Sequence, residues 1–229
     1  GQRHKLQFST SVLHIDAPHI RGNMIITRPA ILDVLEKKGF AVFDGDNYDL
    51  NLIGIRSKES KSKKKHSNKF DDLMICVYKI NGEWHQETWK ITTDPGVYWL
   101  EDEKRKGNPK GTAILVPGQY RGCWIIAMHR QKYKALCQRN TGDPMRVYRD
   151  KNKDKVLDFD ESSIMEIRYS INCHRAHPTK IETEYIGPYS AGCQVFKRVE
   201  DFDRLMWLAG QQIRHNPTYT KFSYTLIDE

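Results

Sequence analysis

The sequence predicts a β-dominated α+β fold, and three observations predict it. Most apolar residues fall in runs of strand length, several of them alternating with polar ones. Asn81-Gly82 stands between two such runs, the residue pair that suits a two-residue hairpin turn. Only two stretches carry apolar residues at helical spacing, one near each end of the chain.

Taken in order, residues 1–26 read as irregular, with isolated apolar positions. Thr27-Arg28-Pro29 then reads as a helix start, with Thr27 as cap and Pro29 in the first turn. Ile31, Val34 and Leu35 share one face of that helix, and Gly39 supplies its stop. A strand over 40–43 and a turn at Asp44-Gly45-Asp46-Asn47 follow. Residues 50–55 and 73–80 flank a lysine-rich stretch as the arms of a long hairpin, and Asn81-Gly82 leads into a strand over 84–92. Further strands are expected at 113–116, 122–128, 146–148 and 164–171. Asp201 caps a helix over 202–214 with Leu205, Leu208, Ala209 and Ile213 on its buried side. Phe222, Tyr224 and Leu226 alternate in a final strand. With no internal repeat and no linker, the chain reads as one domain. Residues 1–69 form an extension with a short helix and a basic loop, packed on a main domain over 70–229.

Composition narrows the function classes. A hydrophobic fraction of 38% belongs to a globular chain rather than a disordered one. No run approaches the roughly 18 apolar residues of a membrane span, so no transmembrane segment is expected. The first twenty residues hold no continuous apolar core of a secretory signal, and Gly1 in place of Met suggests a processed start, so export stays open. The net charge of +8 is concentrated between Arg56 and Lys69, where Lys58, Lys61, Lys63, Lys64, Lys65 and Lys69 repel one another as a flexible, solvated loop. The sharper reading of that loop is a contact for an anionic polymer, a cell-wall polymer or nucleic acid. The five cysteines, Cys76, Cys123, Cys137, Cys173 and Cys193, show neither C-x-x-C nor zinc spacing, which argues against a disulfide framework.

The segment that carries chemistry is Asn172-Cys173-His174-Arg175, followed by Tyr189-Ser190-Ala191-Gly192-Cys193-Gln194. A free thiol is only a few per cent ionised near neutrality, and a nearby imidazole can take its proton and leave a thiolate ion pair as nucleophile. Gly192 permits a tight turn beside the sulfur, and the N–H groups of Gly192 and Cys193 can stabilise a tetrahedral oxyanion. Cys173 alternates to the opposite strand face and reads as packing. His177 competes as base from a less regular turn. The pairs His129-Arg130 and Tyr148-Arg149 can each grip a substrate carboxylate through a guanidinium, although a structural role is the plainer reading of both.

His174, its spacer and Ser190-Ala191-Gly192-Cys193 resemble the active-site motif of L,D-transpeptidases, the YkuD-type catalytic domain. Thr92-Thr93-Asp94-Pro95-Gly96-Val97-Tyr98 is similar to a strand-entry segment of that family, and the likeness covers roughly residues 70–200. The resemblance implies a single domain with a mixed sheet or sandwich. It implies that Cys193 is acylated by a peptidoglycan stem peptide, that His174 is its base, and that Ser190 and Gly192 shape the site. Arg175, Gln194, Tyr189 and Arg149 are then the expected substrate-binding residues. The chain departs from the pattern at Ala191, where the family carries His, and at Val195, where it carries Arg or Asn. Hydrolysis therefore stands beside transpeptidation as an outcome. No cofactor is required for this chemistry. The site of action would be the bacterial cell wall or periplasm, reached by lysis, injection or a removed signal, as a phage-delivered protein would. Nucleic acid is not the favoured partner, and oligomeric state is left open. The alternative from another class is a non-catalytic module binding an anionic glycan or nucleic acid.

A second pattern is Asp150, Asn152, Asp154, Asp158 and Glu161, spaced as the oxygen ligands of an EF-hand loop, with Lys155 where that loop has its turn glycine. It raises the expectation of a weak structural calcium site, against a solvated acidic–basic turn.

Overall fold

The computed structural model describes residues 24–101 and 107–229, with 24–26 as backbone alone. The first elements are β1 (Met24–Ile26), α1 (Ala30–Lys37), β2 (Asn51–Arg56), β3 (Asp72–Ile80) and β4 (Glu83–Thr92). A single helical turn, α2 (Val97–Leu100), precedes β5 (Thr112–Leu115), β6 (Gly118–His129), β7 (Tyr133–Cys137), β8 (Met145–Asp150) and β9 (Met165–Ile167). The chain ends with β10 (Cys173–Arg175), β11 (Gln194–Phe196), α3 (Val199–His215) and β12 (Lys221–Asp228).

The fold is β-rich with few helices, and its main sheet is mixed. Nine strands run in the order β1-β4-β11-β10-β7-β6-β12-β2-β3, and β3 pairs again with β4, which closes the sheet on itself. The β10–β11 and β12–β2 pairs are parallel; the other pairings are antiparallel. A smaller sheet, β5-β8-β9, stands apart. The β3–β4 turn is the one the sequence predicts, with Asn81 and Gly82 both at positive φ (51° and 78°).

Alternation along the strands sorts residues between two faces. Leu52, Met74, Cys76, Trp89, Phe196 and Leu226 join Trp124 and the α3 residues Phe202, Leu205 and Leu208 in the main core. On the other face Ile53, Ile75, Val77 and Ile227 pack with Leu32 and Leu35 of α1. Burying each of those two leucines is worth roughly 1.5–3 kcal/mol. The helix α3 is fastened to β4 by a buried ion pair. Arg204 Nη2 donates to Glu87 Oε1 at 2.8 Å, Arg204 Nε to Oε2 at 3.0 Å, and the Tyr78 hydroxyl to Oε1 at 2.7 Å.

Several expectations need correction. The α1 cap is Pro29, without a side-chain bond, rather than Thr27, and its buried residues are Leu32 and Leu35 while Val34 is exposed. Gly39 does stand past the helix end at φ 76°, its N–H on the Glu36 carbonyl. Residues 40–43 are not a strand. The Gln119 amide bonds both backbone groups of Ala41, and the Asn51 amide does the same for Phe43, so side chains replace a ladder. The strand expected over 164–171 shrinks to β9, and Ser170 at φ 88° marks the bend that follows. The helix α3 begins at Val199 with Arg198 at the cap, which places Asp201 inside its first turn.

The basic stretch is solvated but anchored. Lys58–Lys61 forms a 3-10 turn, Lys61 pairs with Asp228, and the His66 N–H donates to the Lys155 carbonyl at 2.7 Å. The boundary expected at residue 69 falls between the paired strands β2 and β3, so β2 belongs to the main sheet. Of the irregular stretch 1–26, residues 1–23 lie outside the described residues, and 24–26 form an edge strand on β4. Among the described residues, no helix is long and apolar enough to cross a membrane.

Candidate active site

Cys193 and His174 come from the neighbouring β10 and β11 segments and line one cavity, while the thiol itself donates to the Ser170 carbonyl and no hydrogen bond joins it to the His174 ring. These strands are parallel with His174 opposite Val195, so Cys193 stands beside Asn172, two residues back along the neighbouring strand. Strand spacing and rise put the two Cα atoms roughly 8 Å apart, and the two-residue period sends both side chains to one face. Cys173 and Gln194 take the opposite face, into the core.

The turn before the cysteine is built by its own residues. Ser190 is fully buried; its hydroxyl donates to the Cys193 carbonyl at 2.8 Å and accepts the Gly192 N–H at 3.2 Å. Gly192 sits at φ 124°, and a Cβ there would meet the Ala113 carbonyl oxygen at 2.7 Å, so both conformation and space demand glycine. The segment 92–98 docks on this turn, with the Gly96 N–H donating to the Ser190 carbonyl at 2.9 Å. Asn68 Oδ1 accepts the N–H groups of both Val97 and Gly187, tying the two segments together.

Cys193 is half-buried and lines an open cavity of about 810 Å³ between the main sheet and the β5-β8-β9 sheet. His174, His129, Asn172, Tyr189 and Ala191 line it from one side, and Thr112, Ala113 and Arg149 from the other. The sulfur lies 3.2 Å from the Ser170 carbonyl and 3.5 Å from the Asn172 nitrogen. His174 Nδ1 is 2.8 Å from the Arg175 carbonyl, which can only accept, so Nδ1 carries the proton and Nε2 the lone pair. The His129 ring stacks on His174 with centroids 4.3 Å apart. Asn172 Oδ1 accepts the Gln138 N–H, which fixes its amide so that Nδ2 donates to His129 Nδ1 at 3.3 Å. His129 is thereby left with a proton on Nε2.

Burial sets the resting protonation. It pushes the Cys193 thiol up to about 11, against the Asn172 N–H and the Arg130 guanidinium, which pull it down. Burial and the adjacent His129 pull His174 down to about 3, and burial with Arg130 and Arg139 brings His129 to about 4. The resting pair is therefore neutral thiol and neutral imidazole, not the ion pair expected from sequence, because two charges in this environment would lose too much hydration.

Other predicted residues divide. Tyr189 and Arg149 line the cavity. Gln194 does not: it is fully buried, with its Oε1 accepting from the Tyr224 hydroxyl at 2.8 Å. Arg175 points away as well, its guanidinium 4.2 Å from the centroid of the Tyr133 ring, because it alternates with His174. The Gly192 N–H is committed to Ser190 and offers nothing to an oxyanion. Among the described residues the Cys193 N–H donates to no protein acceptor. His177 bonds the backbone N–H groups of Thr179 and Lys180 and lies outside the cavity. Sequence reasoning missed His129 as the partner of His174 and missed the fixing role of Asn172. No linear spacing links residues that meet only across the β6–β7–β10 pairings.

The EF-hand-like residues form a turn in which part of the oxygen set bonds within the turn itself, while Asp150 Oδ1 is buried without a hydrogen-bond partner. Asp150 accepts the Asp158 N–H, Asn152 donates to Asp158, and Asp154 accepts the Val156 N–H. Lys155 takes the left-handed conformation at φ 70° where an EF-hand has glycine, and Glu161 opens a short 3-10 turn. Among the described residues, no three His, Cys, Asp or Glu side chains gather as a metal site. No protein-family model matches the chain, and no curated protein or solved structure matches it either.

Proposed function

We propose that this protein is a cysteine acyltransferase or peptidase of the L,D-transpeptidase type, forming a thioester at Cys193 with peptidoglycan stem peptides. One observation carries the reading: a half-buried thiol and an imidazole of fixed tautomer share one face of adjacent strands, and both open onto the same cavity.

The chemistry follows from that arrangement. A substrate amide enters with its carbonyl carbon at Sγ. His174 Nε2 takes the thiol proton as sulfur attacks, so the charges appear together in the transition state instead of resting in the free enzyme. The Cys193 N–H faces the developing oxyanion, a contact of the kind worth about 2.7–4 kcal/mol of barrier. The tetrahedral adduct collapses, the C–N bond breaks, and the imidazolium returns its proton to the departing amine. An incoming amine or water then attacks the thioester and releases Cys193. Ala191, where the family motif has a second histidine, leaves His129 as the other imidazole in the cavity.

Incubation with purified sacculi tests the reading. Mass analysis of the muropeptides should show released D-amino acid together with shortened or newly joined stems. Muropeptides unchanged by the wild-type protein, under conditions where it stays folded, would overturn it.

A further inference from the structure

Four arginines line the cavity, Arg130, Arg139, Arg149 and Arg168, and its described lining contains no carboxylate. Elsewhere, among the described residues, the buried arginines meet acidic partners: Arg56 meets Asp94 at 3.0 Å and Arg204 meets Glu87 at 2.8 Å. The cavity arginines make other contacts. Arg139 donates to the Gln138 and Met128 carbonyls, Arg168 to Asn140 Oδ1, and Arg149 to the Gly111 carbonyl and Met165 Sδ. Arg149 is half-buried in this state, and burial lowers its pKa from the ordinary value.

Separate segments of the chain supply these cations. Arg139 and Arg168 lie on neighbouring segments, joined by the Arg139–Tyr169 bridge and the Asn140 N–H bond to the Arg168 carbonyl. Arg130 stands at the β6–β7 turn. Arg149, on β8 of the smaller sheet, lines the same cavity. Carbonyl and amide acceptors orient a guanidinium without neutralising it, so each keeps its charge and part of its donor fork for a ligand. A cavity this cationic raises the local concentration of anions and is completed by more than one negative group.

We propose that this cavity selects acyl donors carrying at least two free carboxylates, one engaged by Arg130, Arg139 and Arg168 and another by Arg149. The proposal rests on Cys193 as the acylated nucleophile, and it separates stem peptides with free carboxyls from the same peptides with those carboxyls amidated. A neutral amide presents its own donors to the guanidinium forks and forgoes the charge-assisted bonds.

Calorimetry on the Cys193→Ala protein tests it without turnover. A synthetic stem tetrapeptide with free carboxyls should bind at least tenfold more tightly than its bis-amide at low salt, with the difference shrinking as salt rises. Arg130→Gln and Arg168→Gln alter exposed side chains and should together reduce the preference to under threefold, with circular dichroism confirming the fold. Equal affinity for acid and amide, or a preference unchanged in the double variant, would overturn the proposal. Tighter binding of a short single-stranded DNA than of the free-acid peptide would overturn it too, in favour of a polyphosphate ligand. If the free acid binds as expected but wild type forms no thioester with it, the nucleophile reading fails and the charge selection stands.

Discussion

The contact between α3 and β4 and the cavity beside Cys193 use the same side chain in opposite ways. At the helix, Arg204 lies against Glu87 with three short contacts, and the Tyr78 hydroxyl fills another lone pair of the carboxylate. At the cavity, four arginines lie among carbonyls, an amide and a thioether, without a carboxylate among the described lining residues. The first arrangement is complete in the protein alone and contributes to holding the fold. The second has no carboxylate partner among the described lining residues. Matched charge serves the fold at α3, and under the proposal above a ligand's carboxylates would supply the match at the cavity.

Arg204→Ala should break the first side hardest. It strands a buried carboxylate and should cost about 3–5 kcal/mol in denaturant unfolding. Combining Arg204→Met with Glu87→Gln should recover most of that loss, since no buried charge then remains. His174→Ala should match that size on the other side, lowering the acylation rate by about 10²–10⁴-fold while the unfolding midpoint stays near wild type.

The pH dependence sharpens the same contrast. With the thiol near 11 and His174 near 3, both groups are neutral across the physiological range. Alkylation of Cys193 by iodoacetamide should therefore climb about tenfold per unit from pH 7 to 10, because the thiolate fraction rises all the way to the thiol's pKa. A plateau beginning near pH 6 would instead indicate a resting ion pair. The smallest effect belongs to Arg168→Gln, which removes an exposed, unpaired cation and should leave stability within about 0.5 kcal/mol.

Much of this was legible in the residues. Alternation located most of the long strands, Asn81-Gly82 located their hairpin, and the placing of Cys173 on the core face followed from period two alone. The motif singled out two residues that the β10–β11 register places on one face, roughly 8 Å apart at their Cα atoms. Those strands are three residues each, too short to show a period, so their parallel pairing and the exclusion of Arg175 and Gln194 needed the structure. Residues 40–43 misled because the Gln119 and Asn51 amides, 78 and 8 positions away, supply the hydrogen bonds that a neighbouring strand otherwise would. The stacked His129 and the gathered arginines come from segments far apart in the chain, and only the sheet pairings unite them.

Intact-mass analysis of wild type, Cys193→Ala and His174→Ala after mixing with a stem tetrapeptide or a carbapenem tests the central claim most directly. The account predicts a mass gain on wild type that maps to Cys193, a slower gain on His174→Ala and none on Cys193→Ala. An adduct that persists in Cys193→Ala, or that maps to another residue in wild type, contradicts it.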